Sequence, residues 1–283
     1  VNSRWMRKRL LFICAPATAA ALIFVGAFIA DRSNAVVAAP APPAVPTIDT
    51  ARHKQMAAFV GDSWVGGSDM GGRGPENFTE LIADHFNWDS RNVGVGGTGY
   101  VDDGGRNDRF GSTTRLSAAA GTSPDILFII NGINDLDDVA PDQMPIRVRE
   151  IRTNSLAAYE TFRARLPQTK IVVIGFVPPG DSTALIREVN GILAQQARVA
   201  GVDFINPTGG TAPEWFSGAN KRFIGVDRYH PTTPGHVVLA NTLIPILEQM
   251  QAKRWPQVYS TGYWSSDEPP SPTTTNPFVL TAN

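Results

Sequence analysis

The stretch that decides the fold is Ala57-Ala58-Phe59-Val60-Gly61-Asp62-Ser63-Trp64, an apolar run that ends in a Gly-Asp-Ser turn. A short, unbroken apolar run bounded by glycine reads as a strand buried on both faces. Glycine at its end lets the backbone turn tightly and approach a ligand closely. A serine at such a strand-to-helix turn has two ordinary uses, as a helix N-cap or as a nucleophile. The nucleophile reading needs a base to take the hydroxyl proton and a third group to orient that base. Both residue types occur together near the far end, in Val226-Asp227-Arg228-Tyr229-His230-Pro231.

Outward from this stretch, apolar runs alternate with helical patterns. Strands are predicted at 57–60, 91–95, 126–130, 171–177 and 203–205. Helices are predicted at 75–86, 145–166, 182–200 and 234–253, and Gly201 follows the third as a helix stop should. Short, continuous apolar strands alternating with helices imply an α/β fold: one three-layer α/β/α domain with a five-stranded parallel sheet. Ligands bind such sheets at the carboxyl ends of their strands. The segments holding Ser63, Gly97 and Asn134 each begin just after a predicted strand, so three chemistry-bearing segments share one rim.

The chain has four histidines. His53 lies in or near a linker, His85 falls within a predicted helix, and His236 lies inside the last one. His230 alone precedes a loop-to-helix boundary, marked by Pro231 and Thr232-Thr233-Pro234-Gly235. Asp227 can accept from one ring nitrogen and leave the other free for the Ser63 proton; its ordinary alternative is a turn-capping aspartate. Two further blocks lie between the ends: Asn92-Val93-Gly94-Val95-Gly96-Gly97-Thr98-Gly99 and Ile129-Ile130-Asn131-Gly132-Ile133-Asn134-Asp135. Gly-Asp-Ser, a glycine-rich block, Gly-x-Asn-Asp and Asp-x-x-His-Pro, in that order, resemble the SGNH hydrolases, the GDSL esterase/lipase family, over roughly residues 55–250. Trp64 departs from the leucine common at that position.

The resemblance implies a flavodoxin-like architecture and a serine esterase working through an acyl-enzyme. It implies Ser63 as nucleophile, His230 as base and Asp227 as the group that orients it. The backbone N–H groups of Ser63 and Gly97 and the Asn134 side chain would form the oxyanion hole, with Gly96 and Gly94 as alternatives to Gly97. No cofactor is implied. Asp62 and Asp135 read as structural turn residues. The expected ligand is an ester, on acylated carbohydrate, cell-envelope glycan or lipid. An acyltransferase using the same acyl-enzyme, and a non-catalytic binding protein on the same fold, are the alternatives.

Around the site, Trp64, Met70, Trp215 and Phe216 are candidate substrate contacts, with Trp215 and Phe216 equally suited to the core. The glycine-rich segment 66–74 reads as a mobile pocket wall or a loose connection. It lacks the Gly-Lys-Ser/Thr of a phosphate loop. No metal site is expected: no His-Glu-x-x-His is present, and the Asp135, Asp137, Asp138 and Asp142 cluster lacks the ligand spacing and central glycine of a calcium loop.

Composition sets the outer limits. Twenty-five basic and 26 acidic residues nearly balance, and no basic stripe suggests a nucleic-acid partner. Residues 4–9 are basic and residues 10–30 uncharged, close to the ~20 residues a bilayer-spanning helix needs. Residues 1–35 are therefore expected to be a membrane anchor or a signal peptide, with the remainder extracytoplasmic. Residues 36–50 read as an Ala/Pro-rich linker, 51–256 as the catalytic domain and 257–283 as a disordered Ser/Thr/Pro-rich tail. Cys14, inside the apolar run, is the single cysteine, which rules out an intrachain disulfide.

Overall fold

In the computed structural model, which describes residues 54–209 and 214–252, five strands form one parallel sheet. They are β1 (Met56–Gly61), β2 (Asp89–Gly94), β3 (Ile126–Ile130), β4 (Lys170–Ile174) and β5 (Asp203–Ile205), in the order β2-β1-β3-β4-β5. The helices are α1 (Ser63–Gly66), α2 (Phe78–Phe86), α3 (Thr113–Ala120), α4 (Met144–Arg165), α5 (Ala184–Ala200) and α6 (Thr233–Ala252). The expected three-layer α/β/α domain is what forms. The 1–35, 36–50 and 257–283 segments lie outside the described residues. Among the described residues, no helix is long and apolar enough to cross a membrane.

Alternation along the strands divides the core in two. Phe59 and Phe128 point to one face, where their rings stack at 4.9 Å beneath residues of α2 and α6. Ala58, Val60, Leu127 and Ile129 point to the other, against Tyr159 and Phe162 of α4 and Val189 and Leu193 of α5. Each fully buried large apolar side chain contributes about 1.5–3 kcal/mol. Burial on both faces explains why β1 and β3 carry no polar alternation.

Boundaries shift where side chains intervene. The helix predicted from 75 begins at Phe78, because the Asn77 side chain accepts from Thr79 N–H and caps it; a separate 3-10 turn, Gly74–Glu76, precedes it. The helix predicted from 182 begins after Thr183 for the same reason, and it ends at Gly201 with φ 66°. The strand predicted to 177 ends at Ile174, and the N–H groups of Phe176 and Val177 turn to the side chains of Asn190 and Asn131.

Register brings the strand ends level. Gly61 pairs with Gly94 on one side and Ile130 on the other, and Ile130 pairs with Ile174. The segments after β1, β2 and β3 therefore emerge together. The order of strands reverses between β1 and β3, where such sheets form ligand crevices.

Candidate active site

Ser63 opens α1, a helix of four residues. So short a helix cannot hold itself, because nucleation costs more than one turn returns. It is held by side chains from elsewhere. Asp62 caps its start, its Oδ1 accepting from Trp64 N–H at 2.9 Å. Asn77 Nδ2 donates to Trp64 and Val65 carbonyls at 3.3 and 2.8 Å, and Asn92 Nδ2 donates to Val65 O at 2.6 Å. These donors satisfy carbonyls that a longer helix would pair internally.

Asp62 is fully buried and ties the start of α1 to the loop after β3. Its Oδ2 accepts from Gly132 N–H at 3.1 Å and faces Asn134 Nδ2 at 3.4 Å. Burial pushes its carboxyl up to about 6, against the hydrogen bonds from Trp64 and Gly132 and the charge of His230. After β3 the chain passes through two left-handed residues, Asn131 (φ 66°) and Gly132 (φ 106°), into a 3-10 turn, Ile133–Leu136. The strained Asn131 is fixed by its Oδ1, which accepts from Val177 N–H at 3.0 Å. Within the turn, Asp135 accepts from the N–H groups of Tyr100, Val101 and Asp102 at 2.8, 3.0 and 2.7 Å. Burial pushes Asp135 up to about 7, opposed by these donors and by Arg147.

The Asp-x-x-His segment closes on itself. Gly225 N–H donates to His230 O at 2.7 Å, and Arg228, at φ 59°, turns the chain between them. Asp227 Oδ1 accepts from the N–H groups of Tyr229 and His230, and its Oδ2 lies 2.7 Å from His230 Nδ1. Partial burial pushes the Asp227 carboxyl up, but the Tyr229 and His230 donors outweigh it and hold the group below its usual value. A carboxylate can only accept, so Nδ1 carries the proton and Nε2 is left as the acceptor. Ser63 Oγ lies 2.7 Å from that Nε2.

The glycine-rich block completes the rim. Gly96 lies against the Ser63 side chain, and Gly97 adopts φ 74°, a region that favours glycine. Asn134 Nδ2 donates to Thr98 O at 2.9 Å, which ties this loop to the one after β3. Among the described residues, none accepts from the backbone N–H of Ser63 or Gly97.

The sequence profile of the GDSL-like lipase/acylhydrolase family matches residues 59–238, a span that holds every residue of this rim. The chain belongs to that family. Membership makes ester hydrolysis its class of chemistry. A GDSL lipase of Mycobacterium tuberculosis is 27% identical over 196 residues, which cover 67% of this chain and 80% of that one. Two solved structures share the fold. One is a carbohydrate esterase with divergent catalytic and non-catalytic binding functions (19% identity, TM-score 0.51, 71% of this chain and 70% of the other). The second is an acetyl xylan esterase from the rumen bacterium Butyrivibrio proteoclasticus (17% identity, TM-score 0.51, 71% and 65%). The SGNH hydrolase architecture expected from the four blocks is therefore the observed one.

Within this GDSL fold, the expected substrate contacts divide. Met70 packs against Gly225, at the base of the Asp227–His230 turn. Trp64 (1% exposed), Trp215 (8%) and Phe216 (fully buried) belong to the core instead. Trp64 and Phe216 meet edge to face at 5.5 Å. The reason is the packing of α6, whose Leu239 and Leu243 join the same cluster and cover this face of the sheet. The segment 66–74 is held at two points. Ser68 and Gly71 pair in a tight turn, and Gly72 lies so close to the His236 ring that any side chain there would overlap it.

Tyr229 escaped the sequence reading, although it sits between Asp227 and His230. Its hydroxyl donates to Asn134 Oδ1 at 3.4 Å, and its ring lies edge-on to His230 at 5.1 Å. Burial raises its phenol above the ordinary value, and Asp137 adds to the shift. Asn77 and Asn92 were also missed. Asn92 opens a block that drew notice for its glycines, and Asn77 carries no local mark beyond a helix cap.

Proposed function

We propose that this chain is a serine esterase that cleaves carboxylic esters through an acyl-enzyme. The observation that carries the reading is the unbroken relay of two 2.7 Å contacts, Ser63 Oγ to His230 Nε2 and His230 Nδ1 to Asp227 Oδ2. His230 takes the Ser63 proton as the oxygen attacks the ester carbonyl. It then returns that proton to the departing alkoxide. Asp227, ionised at neutral pH, keeps the imidazole in the tautomer the first step needs. Water, activated by the same imidazole, releases the acid. The N–H groups of Ser63 and Gly97 and the second N–H of Asn134 receive the developing oxyanion.

The substrate we favour is a short O-acyl group on carbohydrate or cell-envelope glycan. The carbohydrate-acting esterases that share the fold support this choice. An extracytoplasmic location belongs to the same proposal, supported by the basic start and the uncharged run at 10–30.

Covalent labelling by a fluorophosphonate tests the mechanism. Wild type should label once, Ser63→Ala should not, and both should unfold at similar temperatures. Labelling of Ser63→Ala at full stoichiometry would remove Ser63 from the role. A series of p-nitrophenyl esters of increasing chain length, beside acetylated oligosaccharides, tests the substrate.

A further inference from the structure

Arg115, in the first turn of α3, is 1% exposed and lies outside every block of the motif. A buried guanidinium is costly unless each donor is matched. Here all five N–H groups have acceptors. Nε faces Asp108 Oδ1 at 3.3 Å, and Nη1 donates to the carbonyls of Gly61 and Val93 at 2.8 and 3.0 Å. Nη2 reaches Thr98 Oγ1 at 3.3 Å, Asp108 O at 3.0 Å and Asp108 Oδ2 at 3.2 Å. Ser112 Oγ holds Asp108 in turn, at 2.9 Å.

These acceptors fall at particular places. Gly61 is the last residue of β1, two before Ser63. Val93 lies at the end of β2, where the glycine-rich loop begins. Thr98 follows Gly97 directly. The Thr98 hydroxyl donates to Val95 O at 2.6 Å, and Val95 N–H donates to Gly61 O at 3.0 Å. A ring of hydrogen bonds thus closes from Gly61 through Arg115 and Thr98 to Val95 and back. Gly96 and Gly97 lie on the arc it spans.

We propose that Arg115 is the positioning residue of the oxyanion loop, setting the Gly97 N–H against Ser63 through the Thr98 hydroxyl. The proposal rests on the esterase reading above. The guanidinium touches no reacting atom. It joins the strand that delivers the nucleophile to the loop that delivers a donor, so one rigid fork fixes their separation. Lysine could restore the charge but not this geometry, because it has three donors on one atom.

Thr98 gives the cleaner test, since its replacement cuts the link to the loop and leaves Arg115 its contacts with Gly61, Val93 and Asp108. A displacement of ~1 Å at a reacting group can cost up to ~100-fold in rate. We expect kcat of Thr98→Val on p-nitrophenyl acetate to fall ~10- to 100-fold, with KM within about two-fold of wild type. The rate of fluorophosphonate labelling should fall by a similar factor. Thr98→Ser keeps the hydroxyl and should recover most of both rates. Arg115→Lys should show the same split between kcat and KM in its folded fraction. If Thr98→Val melts lower but turns over and labels like wild type, or if Thr98→Ser fails to recover the rate, the positioning role is overturned. Wild type that neither labels nor hydrolyses any ester would instead overturn the esterase reading, and the proposal with it.

Discussion

Replacing Asn134 by alanine separates the proposed oxyanion donor from the loop tether that the structure shows. One N–H of its amide is engaged with Thr98 O at 2.9 Å. The other makes only a 3.4 Å contact with Asp62 Oδ2, and Asp62 keeps the N–H groups of Trp64 and Gly132 without it. Loss of the Thr98 bond and of the longer bond from the Tyr229 hydroxyl should together cost about 1–2 kcal/mol of stability, a drop of ~2–8 °C in Tm for a domain of this size. Loss of an oxyanion donor should lower kcat by ~10²–10³, equivalent to about 3–4 kcal/mol. The donor acts on charge that appears in the transition state, so KM should stay nearly unchanged. Steady-state kinetics on a p-nitrophenyl ester and a thermal melt of the same preparation measure both quantities. Asn134→Asp has nearly the same shape but offers lone pairs where a donor is needed, so it should be impaired at least as much. Full turnover in Asn134→Ala, with only the melting temperature lowered, would refute the donor role.

Two further outcomes follow from burial. His236 is held near neutral, its pKa lowered to about 4 from 6.5 first by burial and then by the charge of His230. Between those values the unfolded chain binds a proton that the native state refuses, so this contribution to stability is full above 6.5 and is lost as pH falls toward 4. Asp62 and Asp135, both raised, act with the opposite sign across much of the same range. Urea unfolding of His236→Phe at several pH values should therefore show the acid-side loss reduced, by up to ~1.4 kcal/mol per pH unit; slopes parallel to wild type would count against it. Phe216→Ala should lose about 3–5 kcal/mol of stability and keep its KM in the folded fraction; a raised KM with an unchanged melting temperature would return Phe216 to the substrate wall.

What could be read from sequence, and what could not, follows the range of the forces involved. Ser63, Gly97 and Asn134 each follow a predicted strand, so local signals placed these three on one rim, whereas His230 was marked by the loop-to-helix boundary after it. The strand at 126–130 was read to the residue because burial on both faces leaves an uninterrupted apolar run. The helix Thr113–Ala120 was missed: only Arg115 and Ala119 of its residues are buried, and the more informative of the two is charged. Nothing local marks an arginine whose two strand-end acceptors, the carbonyls of Gly61 and Val93, are 54 and 22 residues away. Trp64 was misjudged for a related reason. Its neighbours in sequence belong to the site, whereas its neighbours in space are Phe216 and α6.

Ser63 and His230, the proposed nucleophile and base, are separated by 167 residues. A nascent or truncated chain that ends before residue 226 carries a serine with no imidazole to activate it, however much of the sheet has formed. On the proposed mechanism, hydrolytic competence waits until the turn holding Asp227 and His230 docks beside Ser63 at the β1–α1 corner.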